Sequence, residues 1–257
     1  SIIAISHGLI GVVQASITGS IIGNLLLVLG MAMFAGGWKR DKQTFQKTAA
    51  LASASTLLLA AIALVIPGIF AASGGTGDGL EHISVIVSVV MIVGYLAMLV
   101  FSLRTHKHLY TEEVGHVEHA PTNLWRNIGV LVVATLAVAW MSEMLVGSIE
   151  PLVHAFGWSE MFIGVIFVAI IGNAAEHASA ITMAVKNRMD LALQISIGSS
   201  VQIALLVAPL LVLISLLFPV HMGLLFTTFE IGTILFSVLI TNLIIQDGES
   251  NWLEGLQ

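Results

Sequence analysis

Residues 171 to 202 hold the part of this sequence most able to do chemistry. Gly172-Asn173-Ala174-Ala175-Glu176-His177 is followed by a Lys186-Asn187-Arg188 turn and then by Gly198-Ser199-Ser200-Val201-Gln202. Met161 to Val185 is long and apolar enough to cross a bilayer, and Glu176 falls well inside it. An ionised side chain at that depth costs about 2.5–3.5 kcal/mol on insertion scales unless it meets a partner, water or an ion. Helical spacing places Asn173 one turn before Glu176 on a shared face, and gives Ser199 and Gln202 the same relation on the next helix. Gly172 reads as a point of close backbone approach, and Gly198 as a place where a helix loosens and turns carbonyls inward. Carboxylate, amide, hydroxyl and carbonyl oxygens form a hard-cation ligand set suited to Ca2+. A carboxylate also takes protons, so competition for Glu176 would couple cation movement to opposite proton movement. His177 lies about 100° round the helix from the acid, which fits helix packing or a proton-relay position better than direct ligation.

The elements that must position these groups are apolar helices. Of 257 residues, 57% are hydrophobic and only 9% charged, against about 25% charged in soluble domains. The expectation is an all-α, polytopic membrane protein. The formal charge of −6 leaves no nucleic-acid footprint, and the absence of cysteine removes disulfides and thiolate metal sites. Apolar runs predict a helix tail over 1–6 and spans near 12–36, 48–70, 82–103, 126–149, 161–185, 190–217 and 224–245. The opening Ser1-Ile2-Ile3-Ala4-Ile5 reads as the inside of an apolar helix, and Asn251 to Gln257 as the start of another. Truncation at both ends is therefore expected.

All nine Lys and Arg fall in alternate connections: Lys39, Arg40, Lys42 and Lys47, then Arg104, Lys107 and Arg126, then Lys186 and Arg188. The intervening connections carry none, which predicts alternate crossings with the basic loops cytoplasmic. The chain divides into a first half at 1–104, an acidic and His-rich cytoplasmic linker at 105–125, and a second half at 126–257. The linker carries Glu112, Glu113, Glu118, His106, His108, His116 and His119 in no recognised metal spacing, and reads as a solvated segment. His82, His154 and His221 read as interfacial.

The halves echo one another. A shift of 179 places Gly19-Ser20 on Gly198-Ser199, Leu26-Leu27-Val28 on Leu205-Leu206-Val207, and Gly30 on Pro209. The charge pattern makes the two spans antiparallel, as in transporters built from inverted repeats around a midplane site. The counterpart of Glu176 then falls just upstream of Ser1. Asn24 reads equally well as a cavity residue or as a bond to a neighbouring helix. Glu143 and Glu230 are further acids within or near spans, of open role.

At these residues the sequence resembles a known family. Gly172 to His177, Val185 to Arg188 and Ile197 to Ala204 look like the second repeat of the calcium/proton exchangers, bacterial type, within the cation/calcium exchanger superfamily; Gln14 to Gly30 resembles the latter part of the first. The resemblance implies two inverted five-helix repeats, ten core helices plus one extra N-terminal helix. It also implies Glu176 as a central Ca2+ and proton ligand, with Asn173, Ser199, Gln202, Ser20 and Asn24 as further metal ligands and His177 in proton coupling. Gly23 departs from relatives that carry a hydroxyl there. The implied activity is Ca2+/H+ antiport exporting cytosolic Ca2+ by alternating access, with Ca2+ as substrate, no cofactor, and no enzymatic reaction. Its partners would be Ca2+, H+ and the lipid bilayer; small residues on lipid-facing helices are compatible with a homo-oligomer. A compact chain with little regulatory tail points to a prokaryotic plasma membrane. The competing readings are a sodium/calcium or other cation exchanger on the same scaffold, an intramembrane metalloenzyme, which lacks paired histidines on one helical face, and a channel.

Overall fold

The computed structural model describes residues 1–106 and 124–257. A short helix α1 (Ile2–Ser6) leads into α2 (Ile10–Gly37), α3 (Lys47–Ala72), α4 (Asp78–Thr105) and α5 (Leu124–Phe156). Two half-length helices follow, α6 (Ile163–Gly172) and α7 (Ala174–Val185), and then α8 (Met189–Ser215) and α9 (Thr228–Ile244). Among the described residues, five helices are long and apolar enough to cross a membrane, and α6 with α7 makes a sixth span bent by 60°. The continuous span expected over 161–185 is therefore broken. The span expected over 224–245 is also shorter, because Thr227 and Glu230 form a reciprocal capping box that starts α9 at Thr228.

α2 is the central pillar. Its most apolar window is 61% buried, against 22% for α4. Ile17, Ile21, Leu25, Leu29 and Met33 of α2 are buried in one core with Leu57 and Leu64 of α3 and Ile197, Val201 and Leu205 of α8. Helix faces turned to other helices or to lipid need no polar stripe, so these read as apolar all round. α2 and α8 run antiparallel and each contains one widened, π-type stretch, at Gly23–Val28 and Ile203–Val207. In α8, Pro209, which lacks an N–H to continue the ladder, lies just beyond the stretch. The shift of 179 that pairs Gly30 with Pro209 brings the two stretches into near register.

The connections sort to two ends. At one end, Gln43 and Thr44 pair antiparallel with Ser250 and Glu249, and Lys42 Nζ meets Glu249 Oε1 at 2.6 Å. That hydrogen bond holds the Lys42 pKa above its ordinary value. At the other end, Gln14 Nε2 donates to the carbonyls of Gly223 and Leu225, and His221 Nδ1 lies 3.1 Å from Glu81 Oε1. Residues 251–257, expected to begin a helix, form only a 3-10 turn at Glu254–Leu256 seated on α2, with Trp252 edge-on to Trp38. His106 stacks on Phe101, with ring centroids 4.1 Å apart. His108, His116, His119 and the linker glutamates lie outside the described residues.

Candidate functional site

The site is built on the break between α6 and α7. Asn173 has φ −107° and ψ 10°, outside helical geometry, so the chain turns there while its N–H still reaches Ala169 O (3.2 Å) and its carbonyl still accepts from His177 N (3.0 Å). Asn173 Nδ2 donates to Ala169 O and to Ser20 Oγ, both at 2.8 Å, tying the break to α2. Glu176 becomes the third residue of a new helix. A helix N-terminus presents unpaired amides and a positive dipole end, which lowers the cost of a carboxylate inside a membrane. A straight span would give Glu176 no such support. The break also changes how Asn173 and Glu176 come together: they share a cavity across a bend, not one face of a continuous helix.

That cavity has a volume of about 370 Å³, and Ser20, Asn173, Glu176, Ser199 and Gln202 contribute to its wall. Five of the seven residues singled out from the sequence thus surround one space. Glu176 also borders a second space of about 470 Å³ that follows Ala175, Ser179, Gln194 and Gly198. Asn24 and His177 sit elsewhere, buried behind the wall. Asn24 Nδ2 donates to Ser199 Oγ (2.9 Å), and His177 Nε2 lies 3.1 Å from Asn24 Oδ1. With Oδ1 as acceptor, the imidazole contributes its Nε2–H. The three side chains form a relay of bonds joining α7, α2 and α8 and fixing the Ser199 hydroxyl at the cavity.

Sequence reasoning passed over Ser16 and Ser142, which also line the cavity. Ser16 lies four residues before Ser20 on α2, a signal that spacing carried. Ser142 is next to Glu143, which is itself exposed and 3.7 Å from the His7 ring. Glu230 is buried at the start of α9, accepting from Thr227 N and Oγ1 (2.8 Å each) and from Thr18 Oγ1 (3.1 Å). Its three donors give it a capping and helix-joining role. Gly172 does not mediate a close approach: a methyl there would meet nothing within 4 Å. The tight crossing lies at Gly19 and Gly164, where α2 meets α6. A methyl on Gly19 would lie 2.7 Å from Val165 Cα, and one on Gly164 would lie 2.7 Å from Ala15 Cβ.

The sequence profile of the sodium/calcium exchanger protein family matches residues 1–104 and 126–257. The chain belongs to that family. The interval left unmatched coincides with the acidic, His-rich linker. Among relatives, the Ca2+/H+ antiporter of Synechocystis is 46% identical over 273 residues, covering 99% of this chain and 73% of its own. The Ca2+/H+ antiporter ChaA of Bacillus subtilis is 45% identical over 260 residues, covering 99% and 74%. The native structure of YfkE superposes with a TM-score of 0.84 at 44% identity, over 99% of this chain and 73% of that one. Family membership and the apolar helices together make this a multi-pass, all-α membrane protein.

Proposed function

We propose that this exchanger moves Ca2+ out of the cytosol against protons, with Glu176 as the ligand that the two ions share. The observation that carries the reading is the convergence of Glu176, Asn173, Ser20, Ser199 and Gln202 on one cavity at the break of a membrane-spanning helix. Five oxygen-bearing side chains without sulfur suit a hard cation. Relatives at 45% and 46% identity are named Ca2+/H+ antiporters, which supports Ca2+ and H+ as the ions. Asn173 spends its NH2 on Ser20 and Ala169, leaving Oδ1 as the amide atom for a cation. Asn24 and His177 act from behind, holding Ser199 and the first turn of α7 in place. Protonation of Glu176 removes the charge that attracts Ca2+, so each ion displaces the other, and alternating exposure of the cavity to the two membrane faces turns displacement into exchange.

On this reading residues 1–104 and 126–257 are inverted halves joined by 105–125. Arg40, Lys42, Lys186 and Arg188 share the end taken as cytoplasmic, and the membrane is a prokaryotic plasma membrane. The test is Ca2+ uptake by inside-out vesicles holding the full-length protein under an imposed proton gradient. Uptake that needs the gradient, ignores sodium and is lost in Glu176→Gln is the expected result. Sodium-driven uptake would replace the coupling ion, and normal transport by Glu176→Gln would remove the site.

A further inference from the structure

The Glu176 half-helix raises a question of anchorage. α7 has 12 residues, only part of the length needed to span a bilayer by itself. The 60° break also means that α6 does not set its direction. Its last four carbonyls, those of residues 182–185, have no partner within the helix and must be accounted for. The Lys186-Asn187-Arg188 turn supplies three of them: Lys186 N donates to Thr182 O (3.1 Å), Arg188 N to Met183 O (2.9 Å) and Asn187 N to Ala184 O (2.9 Å). Asn187 reaches this geometry at φ +62°, a left-handed conformation that asparagine tolerates. The fourth carbonyl, Val185 O, is met from the loop after α2, by Arg40 Nη2 at 2.9 Å.

Arg40 does this while its Nη1 donates to Gly36 O at 2.7 Å. One guanidinium therefore caps the C-terminal ends of two helices, where a cation also complements both dipoles. Gln43, 2% exposed, adds a second tie, with Nε2 donating to Ala184 O (2.9 Å) and to Asn187 Oδ1 (3.0 Å). Gly36 permits the contact, since a methyl there would lie 2.9 Å from Ala184 O. At the opposite end of α7 the ties are Asn173 to Ser20 and His177 to Asn24. Both ends of the half-helix are thus held by α2 or by the loop that follows it.

We propose that Arg40 and Gln43 are positioning residues for ion exchange: a clamp that fixes the tilt of α7 against α2 and so sets Glu176 relative to Ser20. The proposal rests on Glu176 being the shared ligand, and the experiment separates the two. Full-length Arg40→Gln, Arg40→Lys and Gln43→Leu proteins are compared with wild type and Glu176→Gln in the same vesicles, with uptake normalised to folded protein. The clamp predicts that the half-saturating Ca2+ concentration rises about three- to tenfold in Arg40→Gln and Gln43→Leu, with the maximal rate within about twofold. Arg40→Lys falls between, since an ammonium retains the charge but not the fork that spans two carbonyls. A loss of folded protein alone would lower the rate and leave half-saturation in place. Hydrogen exchange reads the anchorage without transport: amides of residues 176–188 exchange faster in Gln43→Leu while those of α8 keep their protection. Unchanged half-saturation in both neutral variants, or unchanged exchange across α7, overturns the clamp. Normal transport by Glu176→Gln instead overturns the site it serves, whatever the exchange shows.

Discussion

Substituting alanine at Gly164 and at Gly172 should separate the glycine that holds two helices together from the one that meets no neighbouring helix. A methyl on Gly164 would sit 2.7 Å from Ala15 Cβ and 2.8 Å from Val12 O, and the opposing Gly19 is equally tight against the Val165 backbone. Carbon atoms rest about 3.5–4.0 Å apart, so α6 must retreat from α2 by about 1 Å. Overpacking of this kind costs about 1–3 kcal/mol, which for a chain of this size lowers the thermal midpoint by about 2–10 °C. The functional effect follows from the same displacement. Asn173 reaches Ser20 Oγ at 2.8 Å across this interface, and a further ~1 Å takes the bond past the range in which hydrogen bonds persist. Gly164→Ala should therefore lose both stability, read by thermal unfolding in detergent, and Ca2+ affinity, read by vesicle uptake. Gly172→Ala meets no protein atom within 4 Å, so it should keep the wild-type midpoint, although its methyl enters the Glu176 cavity that Gly172 lines and uptake can fall for that reason. A Gly164→Ala protein with wild-type midpoint and uptake, or a Gly172→Ala protein whose midpoint falls as far, would refute the reasoning.

Two other expectations follow from buried polar groups. Asn24→Ala strips the partner from the buried His177 ring and leaves the Ser199 hydroxyl only its bond to Ser196 O; an orphaned buried donor costs about 1–3 kcal/mol, so thermal unfolding should show a loss of that order, and retention of full stability would mean water replaces the amide. Burial is the main cause of a raised Glu254 pKa, opposed by bonds from Asn251. The folded chain then disfavours the charged form, so the docking of residues 251–257 is firmest below the ordinary value of 4.5 and weakens as pH rises from there through the elevated value. Glu254→Gln should flatten that dependence, measured as the thermal midpoint between pH 4 and 7, and an unchanged slope would assign it to another group.

Apolar length placed most of the helices, because a membrane imposes one length on every span. That rule is blind to a break. Nothing apolar distinguishes Ile171-Gly172-Asn173 from an unbroken helix, and the bend is held by Asn173 reaching Ser20, 153 residues away. The residue types around Glu176 were readable for the same reason that they are costly: an amide, hydroxyl or carboxylate stands out in an apolar span. Which of them face the cavity was not readable. Asn24 and Ser20 lie one turn apart on α2, yet Ser20 lines the cavity and Asn24 points to His177. Asn24 is the second residue of the widened stretch that begins at Gly23, where the 3.6-residue register that face assignments assume no longer holds.

The same stretch explains why α2 can serve the site from two directions. In an undisturbed helix, residues four apart present the same face. Widening the ladder from Gly23 lets Ser20 accept from Asn173 at the break while Asn24 joins His177 to Ser199 behind it. The equivalent stretch in α8 begins just after Gln202, so Ser199 and Gln202 lie before it and both reach the cavity. The two helices cross where these stretches begin, with Ser200 Oγ 3.5 Å from Ile21 O, a pair separated by the 179 residues of the internal shift. A residue and its own repeat-mate position meeting in this way is the signature of an approximate twofold axis passing through the crossing. On the proposed inverted-repeat reading, each half contributes one widened pillar helix, α2 or α8, to one centre.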